Sequence, residues 1–169
     1  MINYAAEGIK RMVPAPHADI QTIWHKEPDT LLAVALLGAK MGYPPKWIEV
    51  FLDCLVCPDW IVSGYRDLPV GSQVKNSAHM FCLAVDIKTS NDKGRNGLES
   101  QISWVNEAIK SNLFYRAGLY PGANVCHVDR CDKIWMNKYK AMPYWVMAQN
   151  KYTSFWNLDE AIEYAYSKL

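Results

Sequence analysis

The sequence lacks a charge excess, a membrane-length apolar run and an N-terminal export signal. It carries 18 basic and 17 acidic residues, for a net charge of +1, so it has no electrostatic footprint for nucleic acid or anionic membranes. The longest apolar run, residues 31–39, is far shorter than the roughly 20 residues of a membrane span. Residues 1–8 lack the basic and apolar regions of a secretory signal. We therefore expect a protein made in the cytoplasm, without a membrane span or a nucleic-acid partner.

The number of cysteines is odd, at five, and without an export signal a disulfide framework is not expected. Cys54 and Cys57 form a Cys-x-x-Cys pair, and Cys126 with Cys131 could complete a thiolate metal site. The simpler interpretation is that these cysteines are small buried hydrophobes, because Cys54 lies on the apolar face of a predicted helix.

Length and hydrophobic periodicity predict one domain of the α+β class, with helices packed on a small, mostly antiparallel sheet. At 169 residues no second domain is needed. Prolines break the first 28 residues, which we interpret as an arm, and residues 29–169 form the domain. Helices are predicted at 29–41, 45–57, 98–111 and 158–169. Strands are predicted at 60–63, from about 81, as a strand–turn–strand unit at 114–130, and at 144–152, with a polar loop tip at 91–97.

Histidine is scarce, and two of the four histidines are candidate metal ligands. His79 and Asp86 lie at the two ends of a run whose apolar residues alternate as in a half-buried strand. An odd separation in a strand puts two side chains on opposite faces, so we expect His79 on the loop that enters the strand. A catalytic zinc needs three protein ligands and one open position. His127, inside a second strand-like run, is the expected third ligand.

The other two histidines are expected to have roles other than metal binding. His17 and His25 both lie in the predicted arm, where surface or helix-capping histidines are the better interpretation. The seven tryptophans and ten tyrosines suit peptide or carbohydrate-like ligands, although aromatic residues more often fill a core.

Three motifs accompany these histidines, in an order and spacing that resemble a known family. The motifs are Ser63-Gly64-Tyr65-Arg66, Ser77-x-His79-x-x-Cys82-x-Ala84-x-Asp86 and His127-x-Asp129. They resemble those of zinc D-alanyl-D-alanine carboxypeptidases and L-alanyl-D-glutamate endopeptidases, which share their fold with hedgehog-type domains. The resemblance covers roughly residues 60 to 150.

The resemblance implies a zinc (Zn2+) peptidase that cuts a bond in peptidoglycan stem peptides, with His79, Asp86 and His127 as ligands. Arg66 would bind a substrate carboxylate or the developing oxyanion. Ser77 would contact substrate, and Tyr144 and Trp145 either line the cleft, with Tyr144 as a substrate contact, or belong to the core. Ser77 is not expected to attack, because no histidine remains to activate it. A wall enzyme without an export signal suits a phage endolysin, which reaches the wall through a lysis pore or inside a virion among other virion proteins.

Two positions depart from the family pattern. Asn124 stands where relatives carry the acid that accepts the water's proton, and an amide cannot accept it. Asp129 could serve as the acid–base residue or could instead support His127; Asp67 or Asp132 could swing in. Otherwise the domain is an inactive copy that acts as a virion structural or wall-binding protein, or a metal-stabilised interaction module. Cys82 replaces a glycine, which is costly if that position needs a positive φ.

Overall fold

The computed structural model describes residues 12–14, 26–43, 56–58, 60–64 and 77–169. In these residues the fold is α+β, with four α-helices, a six-stranded sheet and a two-stranded sheet. The helices are α1 (Pro28–Lys40), α2 (Gly94–Lys110), α3 (Lys133–Tyr139) and α4 (Leu158–Tyr166). The strands are β1 (Met12–Pro14), β2 (Val56–Pro58), β3 (Ile61–Ser63), β4 (Ala84–Lys88), β5 (Arg116–Leu119), β6 (Val125–Asp129), β7 (Tyr144–Ala148) and β8 (Lys151–Phe155). A short 3₁₀ helix, Ala78–Phe81, precedes β4.

The six-stranded sheet has the order β3-β4-β6-β5-β7-β8, and only the β5–β7 pair is parallel. Its register brings four residues into one row across the central strands. Asp86 pairs with His127, His127 with Gly118, and Gly118 with Trp145. This cross-strand row of Asp86, His127, Gly118 and Trp145 spans β4, β6, β5 and β7.

Alternation along the strands divides the sheet into a core face and a site face, because successive side chains point to opposite sides. The core face contributes buried apolar residues to one cluster that also includes residues of α1, α2 and α4. Its strand members are Ile61, Val85, Ile87, Ala117, Leu119, Cys126, Val128 and Val146. The opposite face carries the cross-strand row, so polar groups lie on a sheet fixed from behind by the core.

Most of the predicted elements that fall on described residues are confirmed. The α+β class and the mostly antiparallel sheet are observed, and α1, β3, the β5–turn–β6 unit and α4 lie where the sequence predicts them. The predicted strand near Phe81 begins later, at Ala84, because the chain first forms the 3₁₀ helix.

Three predictions of local structure were wrong, and one helix was missed. α2 begins at Gly94, inside the segment predicted as a loop tip. The predicted strand at 144–152 is a hairpin of β7 and β8, whose turn residues Gln149 and Asn150 both have positive φ. α3 was not predicted, since with 7 residues it is too short for a clear helical period. Val56 and Cys57, the predicted end of a helix, belong to β2.

The rest of that helix, residues 45–55, and most of the predicted arm lie outside the described residues, as do His17, His25 and Cys54. In the part of the chain that the structure describes, none of the helices combines the length and apolar character needed to cross a membrane.

Candidate metal centre

His79, Asp86 and His127 converge on one point of the site face. His79 Nε2 lies 3.2 Å from His127 Nδ1 and 3.3 Å from Asp86 Oδ1, and His127 Nδ1 lies 2.9 Å from Asp86 Oδ1. All three side chains are largely buried. Asp86 and His127 are register partners on β4 and β6. His79 reaches them from the 3₁₀ helix, so the alternation rule for strands does not apply to its separation from Asp86.

The turn after His79 uses an uncommon backbone conformation. Cys82 has φ +59° and ψ +20°, the left-handed region, and its side chain is buried. Cysteine was expected to be costly here if the position needs a positive φ, and the observed φ is positive. A left-handed conformation costs a non-glycine residue about 1–2 kcal/mol. The strain is located where the chain turns from the His79 helix into β4, which carries Asp86.

The outer nitrogen of each imidazole is bound to an acceptor, which favours a proton on that nitrogen when the ring is neutral. His79 Nδ1 contacts the carbonyl oxygen of Gly64, and His127 Nε2 lies 3.1 Å from Asp129 Oδ2. A carbonyl and a carboxylate can only accept, so these nitrogens carry the protons and donate. In the neutral rings His79 Nε2 and His127 Nδ1 then hold lone pairs. Two lone pairs and a carboxylate oxygen face one another, which is an arrangement that a cation would stabilise.

These contacts identify the group as a set that could hold a metal ion. Among the described residues no other group of three histidine, cysteine or acidic side chains meets in this way. Cys126 belongs to the main core, whereas Cys131 lies in a smaller cluster with Ala78 and Ala84. The thiolate alternative thus finds no support from Cys126 and Cys131; Cys54 lies outside the described residues.

Asp129 supports His127 from behind. It is fully buried, its Oδ1 accepts from the backbone N–H of Cys131 at 3.0 Å, and its Oδ2 lies 3.3 Å from an Arg116 nitrogen. Arg116 is held in turn by a hydrogen bond from its Nε to the Met142 carbonyl, at 3.2 Å. Both Asp129 oxygens therefore have partners. These contacts correspond to the supporting role foreseen for Asp129, and its acid–base role stays a prediction.

The charges of the three central groups are coupled. Although burial favours the neutral acid, hydrogen bonds from His127 and His79 hold the pKa of Asp86 far below its usual range. Burial likewise opposes ionisation of Asp129, but His127 and then Arg116 hold its pKa below its ordinary value. Burial alone would lower the pKa of His127, yet its hydrogen bonds with Asp129 and Asp86 raise it. Without a metal ion, a proton on His127 thus offsets one of the two carboxylates, and Arg116 beside Asp129 offsets the other.

The substitution Asp129→Asn should weaken metal binding by about 10- to 100-fold, the usual cost of losing an outer partner of a ligand histidine. An amide has no charge and replaces one carboxylate oxygen with a donor NH2. That NH2 meets either the Cys131 N–H or the His127 and Arg116 nitrogens that share Oδ2, and all of these are donors themselves. Metal affinity measured by chelator competition tests this. Asp132→Asn is the matched control, because Asp132 is an exposed cap of α3 and asparagine caps a helix equally well. Equal affinities of the Asp129→Asn variant and the wild-type protein would contradict the supporting role.

The ligand set lies in a cleft of about 790 Å³. The residues that line it beside the ligands include Ser77, Arg116, Tyr120, Lys140, Trp145 and Tyr152. Ser77 thus lines the cleft, and its contact with substrate stays a prediction. Tyr144, also named as a substrate contact, instead packs against the hydrophobic core, and its neighbour Trp145 forms the wall. Arg66 and Asp67 lie outside the described residues.

The alternative acids are placed as follows. Asn124 donates its amide to the Ser90 carbonyl at 3.0 Å and does not line the cleft. Asp132 is exposed and caps α3. Among the described residues that line the cleft, the carboxylates are Asp86 and Asp129.

Two cleft residues were missed by the sequence analysis, Arg116 and Tyr120, and the contact of Trp145 with His127 was not foreseen. The guanidinium carbon of Arg116 lies 4.9 Å from the Trp135 ring and 5.0 Å from the Trp145 ring. The Trp145 ring also lies 4.8 Å from the imidazole of His127. Arg116, Gly118 and Tyr120 are spaced by two residues, a pattern that places them on one face of a strand, and this was the available signal.

Comparisons of the chain with protein-family models, with curated proteins and with solved structures each found no match.

Proposed function

We propose that the protein is a zinc-dependent peptidase that hydrolyses a peptide bond in peptidoglycan stem peptides. The observation that carries this proposal is the convergence of His79, Asp86 and His127, with the outer nitrogen of each histidine bound to an acceptor. The three sequence motifs resemble those of wall carboxypeptidases and endopeptidases, a family with a hedgehog-type fold. This resemblance supports the choice of substrate.

Zinc suits this donor set. Two imidazole nitrogens and one carboxylate oxygen are a common set for a catalytic zinc with an open position. Ligand distances of about 2.0–2.2 Å around a tetrahedral ion correspond to ligand–ligand separations of about 3.3–3.5 Å. The observed separations are 2.9, 3.2 and 3.3 Å, close to this requirement. The same donor types also bind Fe(II) in oxygenases, and metal analysis distinguishes the two ions.

A zinc ion at this position supplies a bound water of lowered pKa and polarises the scissile carbonyl. The chain's own residues orient these groups. Gly64 and Asp129 hold the two imidazoles, while Arg116 keeps Asp129 ionised. The cleft wall of Trp145 and the rim at Ser77 would position the peptide. Arg66, within the Ser-Gly-Tyr-Arg motif, is proposed to bind the substrate carboxylate or carbonyl oxygen.

An inactive copy of the fold is the second candidate, as a wall-binding or virion structural protein. The observation that favours it concerns the acid–base residue. Among the described cleft residues, Asp86 is a ligand and both oxygens of Asp129 have protein partners. A general base must come within hydrogen-bond reach of the zinc water. In the active alternative, either Asp129 exchanges partners or Asp67 supplies the carboxylate.

Muropeptide release from purified peptidoglycan tests the two candidates. The wild-type protein loaded with zinc should release peptides, and His79→Ala should reduce release to that of a buffer blank. His17→Ala is a matched control, since His17 is not in the ligand set. If the wild-type protein binds zinc and sediments with peptidoglycan but releases nothing, the binding-protein candidate replaces the enzyme. If the protein is a phage endolysin, it would act on the bacterial cell wall from inside the infected cell or as part of the virion.

Zinc should stabilise the protein more strongly at pH 8 than at pH 6. Because the pKa of His127 lies above its ordinary 6.5, its proton stabilises the metal-free fold at low pH. This contribution is fully present below pH 6.5 and is lost as the pH rises through the raised value. Zinc must displace this proton, so its affinity rises over the same interval. Melting temperatures with and without zinc at the two pH values measure the difference. A zinc-induced shift independent of pH would contradict His127 as a ligand.

A further inference from the structure

We infer that the Tyr120 hydroxyl donates a hydrogen bond to the substrate oxygen that binds beside the metal ion. This inference rests on the proposed function and adds a residue that contacts the reacting carbonyl. Tyr120 lines the cleft together with Asp86, His127 and Trp145. The hydroxyl keeps its proton throughout, so the step is electrostatic stabilisation and not proton transfer.

The backbone of Tyr120 is fixed by a buried side chain. Gln101 of α2 is fully buried, and its Oε1 accepts from the Tyr120 N–H at 2.9 Å. Its Nε2 donates to the carbonyls of Tyr120 and Ala123, at 3.2 and 2.9 Å. The turn between them is closed by Ala123 N–H donating to the Tyr120 carbonyl at 2.9 Å, with Gly122 at φ +84°. The residue at the cleft end of β5 is therefore rigidly positioned.

Tyr120 and Trp145 line the cleft together. The sequence Arg116-x-Gly118-x-Tyr120 follows the site face of β5, and Gly118 leaves room for the Trp145 ring to lie over the strand. Arg116 lies against that ring. Among the residues that the structure describes, none accepts the hydroxyl's own proton.

A donor of this kind suits an oxyanion. Burial, with a smaller contribution from the Asp86 carboxylate, raises the pKa of Tyr120, so the phenol is neutral at physiological pH. A neutral, preoriented donor gains most from an oxygen that acquires negative charge. Arg66 is proposed above to bind the substrate carboxylate or carbonyl oxygen. Tyr120 would supply a second donor to the carbonyl oxygen, from the β5 side of the cleft.

The substitution Tyr120→Phe tests the inference, with acetohydroxamate as the probe. The hydroxamate oxygens bind zinc, and the anionic oxygen represents the charged oxygen of the reacting group. Zinc-loaded Tyr120→Phe should bind acetohydroxamate about 10- to 100-fold more weakly than the wild-type protein, the cost of one hydrogen bond to a charged group. Its zinc content should be unchanged. Tyr115→Phe, an exposed tyrosine five positions earlier, is the matched control. If muropeptides are released, kcat should fall about 100-fold.

The outcomes separate this inference from the proposed function. Equal acetohydroxamate affinity of Tyr120→Phe and wild type overturns the role of Tyr120 and leaves the peptidase proposal standing. Loss of zinc from Tyr120→Phe also overturns it, because the hydroxyl would then support the metal site. Failure of zinc-loaded wild-type protein to bind acetohydroxamate means that no coordination position is open, which overturns the peptidase proposal itself.

Discussion

The variant His127→Ala is expected to lose metal binding almost completely. His127 Nδ1 is within 2.9 Å of Asp86 and 3.2 Å of His79, so its removal leaves two ligand side chains. The loss of affinity should exceed the 10- to 100-fold that removal of an outer partner costs. Calorimetric titration with zinc measures it.

The control for His127→Ala is His25→Ala, which removes a histidine from outside the ligand set. The zinc-dependent increase in melting temperature should disappear in His127→Ala and persist in His25→Ala. At a free zinc concentration of 1,000 times the dissociation constant, this increase corresponds to about 4 kcal/mol. Retention of zinc with native affinity by His127→Ala would contradict the ligand set.

The variant Gly118→Ala is expected to disrupt the site without touching a ligand. A Cβ at this position would lie 2.7 Å from Trp145 Cζ2 and closer still to Cε2 and Nε1. β5 is paired on both sides, so its backbone cannot easily withdraw and the ring must move. Overpacking of this kind costs about 1–3 kcal/mol of unfolding free energy. Since the ring contacts His127 at 4.8 Å, metal affinity should fall as well.

A double-mutant cycle isolates this contact. In a Trp145→Phe background the atoms that meet the new methyl group are absent, so Gly118→Ala should cost less there than in the wild-type protein. Urea unfolding of the four proteins measures the coupling. Additive losses would show that the methyl group acts elsewhere, and a wild-type stability of Gly118→Ala would contradict the packing of Trp145 over β5.

The ligand set could be predicted from the sequence because its signals are local. Scarcity of histidine, the ligand chemistry of His79, Asp86 and His127, and alternation around each residue were sufficient to select them. The placement of His79 ahead of the strand was also predictable, since an odd separation within a strand would have directed it away from Asp86. The core face followed from the same alternation, as Val85 and Ile87 or Cys126 and Val128 show.

The cleft wall could not be predicted because it depends on distant pairing. Arg116, Gly118 and Trp145 meet through the parallel β5–β7 pair, whose strands are joined through β6 and α3. The helix α3 has only 7 residues, and the turn at Gln149 and Asn150 lacks the glycine that usually marks a two-residue hairpin. Without those two elements, residues 144–152 were predicted as one strand, and its alternation did not decide which of Tyr144 and Trp145 faces the cleft.

A crystal structure of the zinc-loaded protein with anomalous scattering at the zinc edge tests the central claim most directly. We predict one full-occupancy peak within about 2.0–2.2 Å of His79 Nε2, Asp86 Oδ1 and His127 Nδ1, with the cleft open on the remaining side. A peak among cysteine sulfurs, or a zinc-loaded protein with no peak between the two imidazoles, would contradict the claim.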